Sequence, residues 1–133
     1  MEKTVSYLKT RRRYCVQILY KLYIVDEDLT KLKQEVLDGT QFEENSDDMS
    51  NFIMKVLDHF VEIQEAVKPL ISENWTWERL PNIIKAILIN GSYEITQKIT
   101  SKAIVVNESI DMVREFLPSW DTAFLNAVLD KIE

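Results

Sequence analysis

At 133 residues, 46% of them apolar, the chain suits one folded domain and is too hydrophobic for a disordered one. Two Gly and three Pro leave few turns, which excludes a turn-rich sandwich or barrel, and one Cys excludes an intramolecular disulfide, in keeping with a reducing cytoplasm. The net charge of -6 argues at first sight against a nucleic-acid partner, but the charge is unevenly placed. Residues 1–21 carry Lys3, Lys9, Arg11, Arg12, Arg13 and Lys21 against Glu2, a local +5, so the other 112 residues carry -11. Such asymmetry locates a binding face better than the total does. The plain alternative is a solvated basic helix start.

Taken in chain order, residues 1–7 read as a flexible arm. A first helix is expected over Leu8–Ile24, with Cys15, Ile18, Leu19, Leu22 and Tyr23 on an apolar face. Lys9, Arg13, Gln17, Tyr20 and Lys21 gather on another side. A second helix is expected over Glu27–Leu37, stopped by Gly39. Residues 39–49, GTQFEENSDDM, are acidic and aperiodic and read as a loop. A long third helix is expected over Ser50–Ile71, buried along Phe52, Ile53, Val56, Leu57, Phe60, Ile63, Val67 and Leu70 and ended near Pro69.

Asn74 or Thr76 can cap a short turn holding Trp77 and Leu80, and Pro81 suits the start of a helix over Asn82–Ile95. That helix is apolar nearly all round, so it belongs at the centre. Its Gly91 costs about 1 kcal/mol against Ala, which a close helix neighbour would explain. A helix over Ala103–Phe116, buried by Val106, Ile110 and Val113, ends before Pro118. Ser119 or Asp121 caps a last helix burying Phe124, Leu125, Val128, Leu129 and Ile132. The expectation is an all-α single domain over 1–133, without strands or repeats.

Reaction chemistry has little support. His59 is the sole His and lacks the partners that a triad or a His-based metal site needs. Cys15 has basic neighbours that could lower its pKa, but it lies on the apolar face, where a core Cys is the simpler reading. Glu43, Glu44, Asp47 and Asp48 lack calcium-loop spacing, and two isolated glycines make no phosphate loop. No apolar run followed by a cleavage site is visible at the N-terminus, and the Ile83–Ile89 run is interrupted by Lys85 and too short to span a bilayer. Neither catalysis, cofactor, metal nor membrane is therefore expected. Arg11-Arg12-Arg13 with Gln17 and Tyr20 instead combines phosphate-seeking charge, an amide that can read base edges and a ring for stacking, a mixture suited to single-stranded RNA. A half-buried helix aromatic is the alternative for Tyr20.

These residues also carry a resemblance. Arg12–Tyr20 reads RRYCVQILY, similar to the opening helix of the NusB family with its arginine-rich start and Q-x-L-Y ending. Val106–Ile110, VNESI, and Phe124–Lys131, FLNAVLDK, resemble that family's I-N-E-A-[VI] and F-V-N-G-V-L-D-K segments in order and spacing. Trp75–Arg79 and the Ala-Ile-Leu run through Tyr93-Glu94 resemble its W-x-x-x-R and A-[IV]-L-R-x-A-x-Y-E stretches. The family's acid before that run is Ile84 here, its arginine after the run is Ile89, Asn90-Gly91-Ser92 replaces a small apolar stretch, and Ala127 replaces a Gly.

The resemblance implies two small helical bundles packed as one domain, with about six to seven helices. It implies a cytoplasmic transcription antitermination factor that joins NusE, a small-subunit ribosomal protein. The pair would bind boxA RNA in nascent, often ribosomal, transcripts and act with RNA polymerase. By position, Lys9, Arg11, Arg12, Arg13, Gln17 and Tyr20 would face RNA, with Phe116 and Phe124 as aromatic contacts and Trp120 and Asp121 in a nearby loop. Core packing is the alternative for Phe116 and Phe124. Glu78 and Lys85 are the candidates for the NusE face, near which Ile84 and Ile89 are also expected. Some members form homodimers, a further assembly the resemblance admits. NusB-like domains also occur attached to ribosomal RNA methyltransferases, for which 133 residues leave no room. A free-standing RNA chaperone in ribosome assembly and a helical protein adaptor without specific RNA binding are the alternative functions.

Overall fold

The computed structural model describes residues 3–25, 28–38, 47–71 and 74–133. Among the described residues there are seven α-helices and no strand: α1 Val5–Ile24, α2 Leu29–Leu37, α3 Asp47–Asp58, α4 Phe60–Val67, α5 Asn82–Thr96, α6 Lys102–Phe116 and α7 Thr122–Asp130. Short 3-10 turns cover Lys68–Leu70 and Trp77–Arg79. An N-terminal group, α1 to α3, packs on a C-terminal group, α4 to α7, chiefly through α1 against α5. No helix among the described residues is long and apolar enough to cross a membrane.

The central place of α5 follows from its sequence. Eleven of its fifteen residues are buried, from Ile84 through Ile95, and α1, α4, α6 and α7 all touch it. The close neighbour expected at Gly91 is present on two sides. A Cβ there would meet Leu129 Cδ2 of α7 at 3.1 Å and Val105 Cγ1 of α6 at 3.2 Å. Glycine lets three helices converge where a side chain would push them apart.

Several boundaries move for identifiable reasons. Thr4 caps α1 by accepting from the Tyr7 N–H at 3.0 Å, so the helix starts at Val5 and takes up Val5–Tyr7, which the arm was expected to hold. Asp28 caps α2 by accepting from the Thr30 N–H at 2.9 Å. The acidic segment lies outside the described residues over 39–46, as does the stop expected at Gly39. Asp47, Asp48 and Met49 are already helical, with both acids in the first turn of α3, where the helix dipole favours them.

The long third helix divides at His59. There the backbone leaves helical geometry (φ -102°, ψ 9°), and its N–H is shared between the Lys55 and Val56 carbonyls. The ring stacks on Tyr93 of α5, with centroids 6.1 Å apart, so a tertiary contact accompanies the turn. Pro69 falls in the 3-10 turn that follows α4. In α6 the buried stripe is Val105, Glu108, Ser109, Met112 and Val113, one register away from the expected Val106 and Ile110, which are only half-buried. Of the two proposed caps for α7, Asp121 fills the role, accepting from the Ala123 N–H at 2.9 Å.

Candidate nucleic-acid interface

The arginine run does not form one basic face. Helical geometry sends adjacent residues in different directions, and each cation of α1 meets a carboxylate from another part of the chain. Arg11 is buried, its guanidinium 4.0 Å from the Phe52 ring centroid and bonded to Asp48 at 3.2 Å. Arg12 is also buried and grips Glu94 of α5 with two groups, Nε to Oε2 at 3.0 Å and the second guanidinium nitrogen to Oε1 at 3.0 Å. Glu94, with no exposed surface, also accepts from Asn90 at 2.9 Å and Thr100 at 2.8 Å. This connected network bridges α1 and α5 in the interior.

The remaining cations lie nearer the surface. Lys3 pairs with Asp48 at 3.3 Å, Lys9 with Glu108 at 2.7 Å, Arg13 with Glu115 at 2.8 Å and Lys21 with Glu35 at 3.2 Å. Asp48 also accepts from the Tyr7 hydroxyl at 2.6 Å. Partial burial pushes the Asp48 carboxyl up. Hydrogen bonds from Tyr7 and Lys3 and the Arg11 charge outweigh that and hold it below the usual carboxylate range. The local +5 is thus largely matched by acidic partners.

The expected surface roles of Arg11 and Arg12 therefore need correction, because neither guanidinium is available to a phosphate. Residues that do stand out are Arg13, Gln17 and Tyr20, at i, i+4 and i+7 on one side of α1. Gln17 and Tyr20 are exposed, and among the described residues the Gln17 amide and Tyr20 hydroxyl have no hydrogen-bond partner. They line a groove of about 450 Å³ with Ile24, Pro81, Asn82, Ile83, Phe116 and Leu117. Three polar side chains on a largely apolar surface can hold a flat heterocycle and hydrogen-bond its edge. The structure thus brings Phe116 to Gln17 and Tyr20, from which it is far in sequence.

Trp120 and Phe124 join a second aromatic group. Their centroids are 5.2 Å apart, and Trp75 lies 5.1 Å from Trp120 and 6.2 Å from Phe124. The Arg79 guanidinium stands 5.8 Å from the Trp75 centroid. All three rings are half-buried against the core, so packing occupies part of each. Asp121 is spent on capping α7. Trp75 was legible only as part of a W-x-x-x-R motif, since its partners lie 45 and 49 residues away.

Glu78 is exposed and Lys85 is half-buried, with its ammonium 5.4 Å from the Tyr23 centroid and 6.0 Å from that of Trp77. Ile84 and Ile89 have no exposed surface, and Asn90 and Ser92 are almost fully buried. The positions where partner-facing charges were expected are core positions here, so their apolar character follows from packing. Cys15 is fully buried, and burial together with the Glu94 charge pushes its thiol well up, leaving it inert as a nucleophile. Among the described residues no group of His, Cys, Asp and Glu could hold a metal ion.

These features define an all-helical, two-bundle protein with an exposed groove that joins aromatic rings, side-chain amides and apolar surface. The chain belongs to the NusB family, whose profile matches residues 9–133. It is 26% identical to the transcription antitermination protein NusB of Sulfurovum sp. (strain NBC37-1), over 91% of this chain and 93% of that protein. It is 29% identical to the transcription antitermination protein NusB of Helicobacter pylori (strain G27), over 88% and 85%. Among solved structures, a chain in the crystal structure of antitermination factors NusB and NusE in complex with dsRNA superposes with a TM-score of 0.74, at 23% identity and 97% coverage of both chains. A chain in the crystal structure of a plectonemic RNA supercoil gives 0.72, at 22% identity and 95% and 93% coverage. At that identity the structural likeness speaks for the fold.

Proposed function

We propose that this protein is a cytoplasmic, non-enzymatic transcription antitermination factor that binds boxA-type single-stranded RNA together with NusE. The observation that carries the reading is the groove in which Gln17, Tyr20 and Phe116 meet beside Arg13. It offers a stacking ring, an amide for a base edge and a cation for a phosphate within one short stretch of surface. Family membership, and relatives that are antitermination proteins, supply the biological setting. Trp75, Trp120 and Phe124 form a second stacking surface in this reading, and Glu78 with Lys85 is the proposed contact to NusE. Lys9 contributes where its ammonium reaches past Glu108.

Among the described residues, Arg13, Lys9 and Lys21 are the partly accessible cations of α1 near this surface, and each already meets a carboxylate. NusE is therefore expected to supply much of the electrostatic affinity, since phosphate contacts dominate it. The test is a titration of boxA RNA and a scrambled control against the protein, with and without NusE, at two salt concentrations. Preferential binding of boxA RNA that strengthens with NusE supports the reading. Equal binding of both RNAs with no gain from NusE refutes it.

A further inference from the structure

Of the three consecutive arginines, Arg13 is the one that the rest of the fold leaves partly accessible, and the carboxylate of Glu115 lies on it. Arg13 donates to Glu115 Oε2 through Nε at 3.0 Å and through a terminal nitrogen at 2.8 Å. A two-nitrogen grip on one carboxylate uses the same donor face that a phosphate would take. The pair stands beside the groove, since Arg13 is one helical turn before Gln17 and Glu115 directly precedes Phe116.

The placement of Glu115 is not explained by the stability of its own helix. It occupies the last turn of α6, where the helix dipole disfavours a carboxylate. Its side chain is 47% exposed, so the ion pair adds little to the fold. The pairs Arg12–Glu94 and Lys9–Glu108 each set a buried or nearly buried carboxylate between helices, whereas Glu115, although it also joins α6 to α1, does so from the surface. What remains for Glu115 is the cation itself.

We infer that Glu115 is a phosphate competitor. It holds Arg13 masked, and a strand that seats a phosphate there must first displace the carboxylate. The effect sets affinity rather than sequence choice, because a phosphate contact carries no base information. The inference rests on the RNA-binding reading above for its setting, but it is read out separately.

The test is Glu115→Gln, which keeps the side-chain size and removes the charge. RNA affinity is measured by titration of boxA and scrambled RNA over a salt series, with thermal unfolding as a check on the fold. The affinity of both RNAs should rise by about 1.5- to 5-fold, the range spanned by exposed ion pairs. The slope of log affinity against log salt should steepen by up to about 0.7, one phosphate contact on a single strand. Glu65→Gln, an equal change of net charge on α4, should give a smaller rise, and in an Arg13→Ala background Glu115→Gln should give no more than that.

Unchanged or weaker binding by a folded Glu115→Gln variant overturns the inference, as does a gain that persists in full without Arg13 or that Glu65→Gln reproduces in full. The boxA-to-scrambled ratio reports the functional reading independently. Loss of that preference with the Glu115→Gln gain intact refutes boxA recognition and leaves phosphate competition standing. Absence of any RNA binding by either protein refutes both.

Discussion

Replacing Arg12 by alanine should damage the fold more than the RNA site, although Arg12 and Arg13 are identical neighbours. The Arg12–Glu94 side chains are 5% and 1% exposed, so the variant leaves a carboxylate buried without its cation. Removing one partner of a buried pair costs about 3–5 kcal/mol. Glu94 keeps its hydrogen bonds from Asn90 and Thr100, which places the expected loss near ~3 kcal/mol, at the lower end of that range. Against a total stability of about 5–15 kcal/mol this is a large fraction. For a domain of this size it corresponds to a fall in the thermal midpoint of roughly 10 °C. Arg13→Ala breaks a far more exposed pair and should cost under about 1 kcal/mol. Urea unfolding followed by circular dichroism measures both, and RNA titration of the folded fraction measures the other half of the contrast. Adding Glu94→Gln to Arg12→Ala should cost less than the sum of the single changes, because the buried unpaired charge is gone. The reasoning fails if Arg12→Ala loses less than about 1 kcal/mol while RNA affinity drops as far as it does in Arg13→Ala.

Three further outcomes follow from other parts of the molecule. Gly91→Ala should destabilise despite the helix preference of alanine, worth about 1 kcal/mol. The new Cβ would crowd Leu129 and Val105 at 3.1 and 3.2 Å, and crowding in a packed core costs about 1–3 kcal/mol; a raised thermal midpoint would contradict this. Asp48 has a depressed folded-state pKa, so it contributes stability that is present above its unfolded value and is lost as pH falls through the folded one. Asp48→Asn should therefore lower stability at neutral pH and flatten the decline in acid, as read from unfolding midpoints across pH 2 to 7. Tyr20→Ala should weaken RNA binding by the worth of one stacked base, about 1–3 kcal/mol, with the salt dependence unchanged; a changed slope with unchanged affinity would remove Tyr20 from the stacking role.

How far the sequence reaches depends on the range of the interaction. Helices were legible where an apolar period runs uninterrupted, as in α5, whose central position follows from its all-round hydrophobicity. Caps were legible where an Asp precedes an apolar run, as at Asp121. The break at His59 was not, because it accompanies a ring contact with Tyr93, 34 residues further on. The α6 stripe was misplaced by one register because Glu108 and Ser109 are buried there, and a period count takes polar residues as exposed. The groove was half legible. Gln17 and Tyr20 share a helix side, but Phe116 and Pro81 reach it only through tertiary packing. What the sequence hid most fully was the pairing of α1, since Asp48, Glu94, Glu108 and Glu115 lie 37 to 102 residues from the cations they neutralise.

That pairing changes what a basic segment on an acidic chain means. The +5 at the N-terminus reads as an electrostatic footprint only while its counter-charges are assumed to be elsewhere. Here two of the three consecutive arginines hold α1 to its neighbours: Arg12 through the interior network with Glu94, and Arg11 between Phe52 and Asp48. The acidic surplus of the body is thus partly the complement of the basic helix, and the two together build the α1 interface. In the proposed role, a surface assembled in this way offers RNA shape, rings and a masked Arg13 more than it offers field. Such a surface favours a strand whose bases fill the groove over one that brings only phosphates, and it leaves the long-range attraction to a partner.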